Sequence, residues 1–492
     1  MRIARTFPIV ALTALVLTGF PARGAGAQIP AAEFAARRDS LARRIGDGVV
    51  VAFGARTPVT DFGPPTQLPA FRYLTNYEDP DAAFVLVVRN GVGRPALFTM
   101  PVMPRTALYY GRRPDSATVA RTMGMPSRPF ATLAATLDSL AGAGLAFYAL
   151  ADFEDADFRG VDSLTRGSAF MKAFTARHAG LKVADAHPLV DELRARKSPA
   201  EMVLIRRAAE ISVQGHLAAM HMTSPGLHEY DVQAAVEYAF RRGGSSRPSY
   251  GSIIGSGERG TQLHYMKDRG PLNPGELMVI DAGAEYEGYA ADVTRTLPVS
   301  GTFTKDQRIL YQLVRDAQEA AARNSRPGMS IAAATDSSVA IRARGLAAMG
   351  LIESVEATFD PPWPSDCSAR PASCRQSMLF TIHGISHGLG LAVHDPAGFY
   401  RGGVVKPGDA FTIEPGIYIS TATLDLLPDT PKNRAFIAKV RPVVERLNNT
   451  GIRIEDDYIA TENGLEWISR APREVGEVEA AMKQRTTAAA AR

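Results

Sequence analysis

The chain has 492 residues, 46% of them hydrophobic and 22% charged, with 43 Gly, 33 Pro and two Cys. This composition excludes collagen-like, disordered and disulfide-scaffold proteins, and the length calls for two or three domains with sizeable cores. The formal net charge of +4 is small, and without a Lys/Arg cluster it points to no nucleic-acid partner.

The first element is an apolar run, residues 7–20, preceded by Arg2 and Arg5 and closed by Ala25-Gly26-Ala27. This three-part pattern predicts a signal peptide over residues 1–27, cut before Gln28, and hence a secreted or periplasmic protein; the alternative is a buried N-terminal helix or strand. The run falls short of the ~18 residues of a membrane span, so no stable membrane anchor is expected. Residues 1–27 hold three arginines and no acid, so their removal takes the net charge from +4 to +1.

Short strands are expected at residues 49–53 (VVVAF) and 84–89 (FVLVVR), and a helix around residues 131–140. Residues 28–195 thus read as an α/β domain. Lys197-Ser198-Pro199-Ala200-Glu201 then marks a helix start: Ser198 caps, Pro199 takes the first helical position and Glu201 completes a capping box. Met202, Ile205 and Ala208/Ala209 recur behind it at helical spacing, so a second domain is expected over residues 196–482. Within that domain, residues 420–450 read as a long polar connection. A charged helix and a fraying Ala-rich tail, residues 483–492, end the chain. Cys367 and Cys374 can close an eight-residue loop in an oxidising compartment, a structural disulfide worth about 2.5 kcal/mol in the chain-entropy model. Two cysteines are too few for a zinc site.

Two motifs mislead. Residues 255–260 (GSGERG) fit the dinucleotide fingerprint, with Asp281 about 20 residues on. Gly270, Pro271, Pro274 and Gly275 nevertheless forbid the helix that would hold a pyrophosphate. Residues 384–388 (GISHG) fit a nucleophile elbow, but no acid separates Ser386 from the last histidine, His394, as that triad order requires. Gly388, Gly390 and Pro396 also oppose the helix that should follow the elbow.

The chemistry begins at residues 277–296 (LMVIDAGAEYEGYAADVTRT). Two strand-like runs flank a turn centred near Tyr286-Glu287, with Asp281 and Asp292 equidistant from it and facing each other, Cβ atoms about 4.5–5.5 Å apart. Carboxylates that close repel unless a cation lies between them, which favours a metal site over a polar hairpin tip. His383, His387 and His394, three of the nine histidines, fall within twelve residues. Gly384, Gly388 and Gly390 beside them let the backbone approach a ligand. His178, His187, His216, His221 and His228 stand alone and read as structural. Glu414 ends an apolar run, and alternation over residues 451–455 (GIRIE) puts Arg453 and Glu455 on the face opposite Ile452 and Ile454. Spacing alone does not assemble these acids into one site.

The ordered set IDAG, ADVTRT, HGISHGLGLAVHD, TIEPG and GIRIEDD resembles the pita-bread metallopeptidase family, which contains aminopeptidase P, prolidase and methionine aminopeptidase. The resemblance covers about residues 195–480, including APREVGEVEA near the end. Phe71-Arg72-Tyr73-Leu74-Thr75 and Pro80 look like the N-terminal domain of the aminopeptidase P branch. The fold implied is α/β (α+β): a creatinase-like N-terminal domain followed by a pita-bread catalytic domain. By the same resemblance Asp281, Asp292, His387, Glu414 and Glu455 hold two divalent metals, with Asp292 and Glu455 bridging. An oxygen-rich set with one imidazole suits Mn²⁺, with Co²⁺ or Zn²⁺ as alternatives. His264 and His394 are implied to contact substrate and assist the tetrahedral intermediate. His383 would bind beyond the scissile bond, Arg453 would steady the acids, and Glu414 would also shuttle a proton.

The expected activity is removal of the N-terminal residue from peptides with proline second, a bond without the amide N–H that general proteases bind. A prolidase cutting X-Pro dipeptides is the alternative within the family, and a non-catalytic binding protein on the same fold is the alternative outside it. A homo-oligomer is expected. Gly388 and Ala392 depart from the tryptophan and aspartate that aminopeptidase P often carries there, and residues 395–398 (DPAG) also differ. These departures bear on pocket shape, whereas all five ligand positions are present, unlike in the metal-free creatinase branch.

Overall fold

The computed structural model describes residues 28–57, 66–101, 103–150, 166–396 and 403–484. The expected signal segment lies outside these residues, as do all but the first two residues of the expected tail.

In the N-terminal half, strands β1 (Gly48–Phe53), β2 (Ala83–Arg89), β3 (Val92–Thr99), β4 (Ser127–Pro129), β5 (Phe147–Leu150) and β6 (Val183–Asp185) form a sheet of order β4-β3-β2-β1-β5-β6. β1, β2 and β3 are antiparallel neighbours, and β4, β5 and β6 join by parallel pairing. Every residue of β1 is buried because its alternation serves two cores. Val49, Val51 and Phe53 pack with Leu133, Leu137 and Phe174, while Val50 and Ala52 pack with Leu41 and Ala42. The helix expected near residues 131–140 is present as Leu133–Gly142.

The helix His187–Ala195 leads to the helix Pro199–Met222 through the predicted capping box. Ser198 Oγ accepts from the Glu201 amide at 3.2 Å, and the Glu201 carboxylate accepts from the Ser198 amide at 2.8 Å. The apolar cluster on one face of the N-terminal sheet continues through Leu204, Ile205, Tyr289, Leu389 and Ile459. The two halves therefore share a core, which fixes their mutual orientation.

The second half contains β7 (Ile253–Ser256), β8 (Leu277–Asp281), a short hairpin of β9 (Glu285–Tyr286) and β10 (Tyr289–Ala290), and β11 (Thr294–Pro298). It continues with β12 (Ala410–Ile413), β13 (Gly416–Ile419), β14 (Thr450–Arg453), β15 (Asp456–Thr461) and β16 (Gly464–Trp467). The ladders run β11-β8-β7, β12-β15-β16 and β13-β14, and a bridge between Thr294 and Glu455 links the first to the β14–β15 junction. Helices Glu229–Gly243 and Lys305–Arg323 bury Val232, Val236, Phe240, Leu310 and Val314 in the same core as Ile280, Ile417 and Ile452. No helix among the described residues is long and apolar enough to cross a membrane.

The expected polar connection at residues 420–450 is not a loop. It folds as the helices Thr421–Asp425 and Pro431–Arg446, the second capped by Thr430, whose side chain accepts from the Asn433 amide at 3.2 Å. Phe436, Val440 and Val444 recur every four residues and enter the core beside β13 and β14. Pro428, Pro431 and Pro442 obscure that stripe in the sequence. Pro431 in fact starts the helix, where its missing N–H costs nothing.

Candidate metal centre

The hairpin that carries two of the acids turns at Glu287 and Gly288, with φ of 50° and 83°. Positive φ at both central residues is the two-residue turn that matches strand twist. The turn therefore lies one residue later than expected, Asp281 pairs with Thr294, and Asp292 does not face Asp281 directly. An offset of two residues keeps the two acids on one face along a diagonal, so their convergence survives the corrected register. A Cβ at Gly283 would overlap the Ala291 carbonyl oxygen, so only glycine lets the strands close behind the acids.

Three further elements deliver the rest of the set. His387 lies alongside β12, its carbonyl accepting from the Thr412 amide at 3.0 Å. Its Nε2 stands 3.4 Å from Asp292 Oδ2, 3.5 Å from Glu414 Oε1 and 3.8 Å from Glu455 Oε1. Glu414 follows β12 directly and is held by its amide on the Ile385 carbonyl at 2.8 Å. Glu455 joins β14 to β15, and its Oε2 accepts from Thr294 Oγ1 at 2.6 Å. Ligand atoms of Asp292, His387 and Glu455 all lie within 4.8 Å of one another.

Asp281 completes the basin through shared partners. The Tyr250 hydroxyl lies 2.5 Å from both Asp281 Oδ1 and Asp292 Oδ1. Arg453 donates to Asp281 Oδ2 at 2.6 Å, to the Tyr418 hydroxyl at 2.7 Å and to Thr294 Oγ1 at 3.2 Å.

Burial and crowding decide the protonation of this basin. Asp292 is pushed well above the usual carboxylate range by burial and then by Asp281; Glu455 is raised by burial and then by Asp292 and Glu414. Burial also acts on Glu414, but the His383 hydrogen bond and the charges of His383, His387 and Arg453 outweigh it and hold Glu414 below that range. Arg453 keeps its proton more firmly than usual, because Tyr418, Asp281 and Glu455 outweigh its burial. Like-charged oxygens gathered this closely fit a site for divalent cations, which remove the repulsion that otherwise protonates them.

Of the other expected residues, His383 and His394 lie against this basin. His383 Nδ1 is 3.4 Å from Glu414 Oε2, and its Nε2 is 2.9 Å from the Tyr418 hydroxyl. The exposed His394 ring packs on His387, centroids 4.3 Å apart at 61°. His264 is exposed in the turn that follows the 3₁₀ segment Gly257–Thr261. The fingerprint residues 255–260 lie in the end of β7 and this 3₁₀ segment, and no α-helix follows them before β8. Residues 384–388 are irregular, with no helix behind them through Pro396. Cys367 and Cys374 are disulfide-bonded with Cα atoms 5.6 Å apart. His216, read as structural, is buried with Nε2 on the Ala282 carbonyl at 3.0 Å.

Four contributors carried no signal in the sequence: Tyr250, Thr294, Tyr418 and Glu229. Glu229, fully buried at the start of its helix, accepts from the Ser256 amide at 2.9 Å and Arg259 Nε at 2.6 Å. It also accepts from the Tyr265 hydroxyl at 3.0 Å and the Gly270 amide at 2.5 Å. It thereby fastens both ends of the loop that carries His264. An acid in a first helical turn is ordinarily a dipole partner, so only the fold reveals this use.

Four carboxylates and an imidazole, converging from strand ends in a pita-bread domain, define the centre of a metallohydrolase that takes divalent ions. The sequence profile described as Metallopeptidase family M24 matches residues 203–462, and that of the Aminopeptidase P, N-terminal domain, matches residues 34–146. The chain is 33% identical to the Xaa-Pro aminopeptidase of Escherichia coli, over 89% of this chain and 94% of that protein. It is 31% identical to the Xaa-Pro dipeptidase of Homo sapiens, over 60% of this chain and 62% of that protein. The solved structure of proline aminopeptidase P II from Yersinia pestis superposes with a TM-score of 0.76 at 29% identity, covering 92% of this chain and 100% of that one. The chain belongs to metallopeptidase family M24, with an aminopeptidase P N-terminal domain ahead of the metal-binding domain.

Proposed function

We propose that the chain is an Xaa-Pro aminopeptidase, a metal-dependent exopeptidase that releases the N-terminal residue from peptides with proline second. The observation that carries this is the presence, in one chain, of a metal centre around Asp292, His387 and Glu455 and an aminopeptidase P N-terminal domain, the similarity covering 94% of the bacterial Xaa-Pro aminopeptidase. The match to the human dipeptidase covers only 62% of that protein.

Asp281, Asp292, His387, Glu414 and Glu455 would hold two divalent ions. Two such ions balance the charge of four carboxylates, and the donor set favours Mn²⁺ while also accepting Co²⁺ or Zn²⁺. The chemistry such ions supply when bound is Lewis acidity toward a carbonyl oxygen and activation of water. The protein's own groups do the rest. Glu414, ionised and bracketed by His383 and His387, accepts a proton at its carboxylate and passes it on. His394, exposed and packed on His387, and the exposed His264 would contact the peptide. His383, fixed by Tyr418, binds beyond the scissile bond. Arg453 holds Asp281 in place through its bond to Oδ2.

Residues 1–27 support export to the periplasm or medium. The exposed Met103, Leu108 and Tyr109 of the N-terminal domain, at 55%, 87% and 71% exposure, support self-association into a homo-oligomer; light scattering tests it. Activity is tested on Arg-Pro-Pro, X-Pro dipeptides and X-Ala controls. The expected result is cleavage of the first bond of Arg-Pro-Pro with higher kcat/KM than any dipeptide, and none when the N-terminal amine is blocked. Turnover of dipeptides alone would make the enzyme a prolidase, and no turnover with metal bound would favour a binding role.

A further inference from the structure

The loop between His387 and His394 closes on itself through Asp395. The Asp395 amide donates to the Gly388 carbonyl at 2.7 Å, and Asp395 Oδ2 accepts from the Leu391 amide at 2.7 Å. These two bonds set where the intervening His394 ring lies against His387. Asp395 is only 1% exposed, and its remaining partners come from outside the loop. Arg194 Nε lies 3.0 Å from Asp395 Oδ1. Lys197 Nζ donates to the Asp395 carbonyl at 3.0 Å and to the Arg194 carbonyl at 2.7 Å. Arg194 is in the last turn of His187–Ala195, and Lys197 directly precedes the cap of Pro199–Met222. Both are at most 4% exposed.

This is an expensive arrangement to bury unless it holds something in place, since two cations and a carboxylate leave water at the junction of the two halves. The packing around it leaves no slack. A Cβ at Gly388 would lie 2.6 Å from the Asp395 carbonyl oxygen, and one at Gly390 would overlap Asp395 Oδ2 and lie 2.8 Å from Lys197 Cε. The loop backbone is pressed against the cluster, so a displacement of either cation is passed to the loop.

We propose that Asp395 is a positioning residue for His394, and that Arg194 and Lys197 at the domain junction hold the His394 loop in its working geometry through it. The N-terminal half thus takes part in the reaction without touching substrate. The proposal rests on the reading that His394 contacts the peptide.

The test is a double-mutant cycle in the metal-loaded, full-length enzyme, with Arg-Pro-Pro as substrate. Lys197→Met keeps the buried stem and removes the ammonium. It should lower kcat at least ~10-fold, since misplacement of a positioned group by about 1 Å can cost ~10²-fold. In a His394→Ala background the same change should alter kcat by less than about twofold, because its effect runs through the ring already removed. Bound metal per chain should stay unchanged. Equal factors in both backgrounds, an unaltered kcat in Lys197→Met, or loss of metal from that variant would overturn the positioning role. Wild-type kcat in His394→Ala would instead overturn the reading of His394 itself, and the proposal with it. Should Lys197→Met not fold, Gly390→Ala keeps every charge and displaces the Asp395 carboxylate; it should show the same dependence on His394.

Discussion

Replacing Tyr250 by phenylalanine isolates one oxygen in the metal centre. The ring remains to fill its half-buried site, while the hydroxyl that lies 2.5 Å from an oxygen of both Asp281 and Asp292 is removed. A hydroxyl has one proton, so it donates to one carboxylate at a time. The loss is therefore one charge-assisted bond, about 1.5–3 kcal/mol. At about 1.4 kcal/mol per tenfold change, that is roughly 10- to 150-fold in metal affinity, in keeping with the ~10–100-fold effects of groups that orient metal ligands. The assay titrates Mn²⁺ into metal-free protein and follows bound metal and Arg-Pro-Pro cleavage together. The variant should need correspondingly more Mn²⁺ for half-maximal activity and should recover most of its kcat at saturation. Unchanged metal affinity would refute the claim that this hydroxyl organises the two acids. A kcat loss that no metal concentration restores would show that the hydroxyl acts on the substrate instead.

Three further outcomes follow from the same geometry. Glu455→Ala or Asp292→Ala removes a carboxylate from the crowded heart of the basin, and should cost bound metal and at least ~10²-fold in activity; near-normal turnover with full metal content would mean the ligands are misassigned. Asp292 and Glu455 have raised pKa values in the metal-free fold, so their ionisation costs stability as pH rises through those values, and divalent ions must displace their protons. Metal binding should therefore release protons, seen with an indicator dye, and the rise in Tm on adding metal should grow with pH; a pH-independent rise would contradict this. Asp456→Ala strands the fully buried Arg295, whose Nη2 lies 2.7 Å from Asp456 Oδ1, and should destabilise the fold by about 3–5 kcal/mol in urea unfolding; a loss below about 1 kcal/mol would mean that water or another group takes over the charge.

Much of the site was legible because its ligands sit in short segments with strong local rules. Glu414 and Glu455 follow apolar alternation to a strand end, and Asp281 ends a run of core residues. The acids of the hairpin were placed on one face even though the turn was set one residue early. Side-chain facing has a period of two, so an error of one residue at the turn centre moves the partner by two and keeps the face. The register itself depended on Glu287 and Gly288 both accepting positive φ, a choice that twist imposes and composition does not announce. The helix Pro431–Arg446 was missed for the opposite reason. Its polar residues outnumber the stripe of Phe436, Val440 and Val444, which gains meaning only when a core lies opposite it.

The sequence by itself determined the two-part α/β plan, the helix start at Ser198 and which acids and histidines are candidates for a metal site. Each of these rests on residues within a few positions of one another, where capping, alternation and motif order operate. Only the tertiary structure decided how those side chains are held. Tyr250 reaches Asp281 and Asp292 across 31 and 42 positions, and Arg453 reaches Asp281 across 172. Lys197 reaches Asp395 across 198. A hydrogen bond between distant segments leaves no periodic trace in either of them, because its partners are chosen by where the backbone brings them and by the need to satisfy a buried charge.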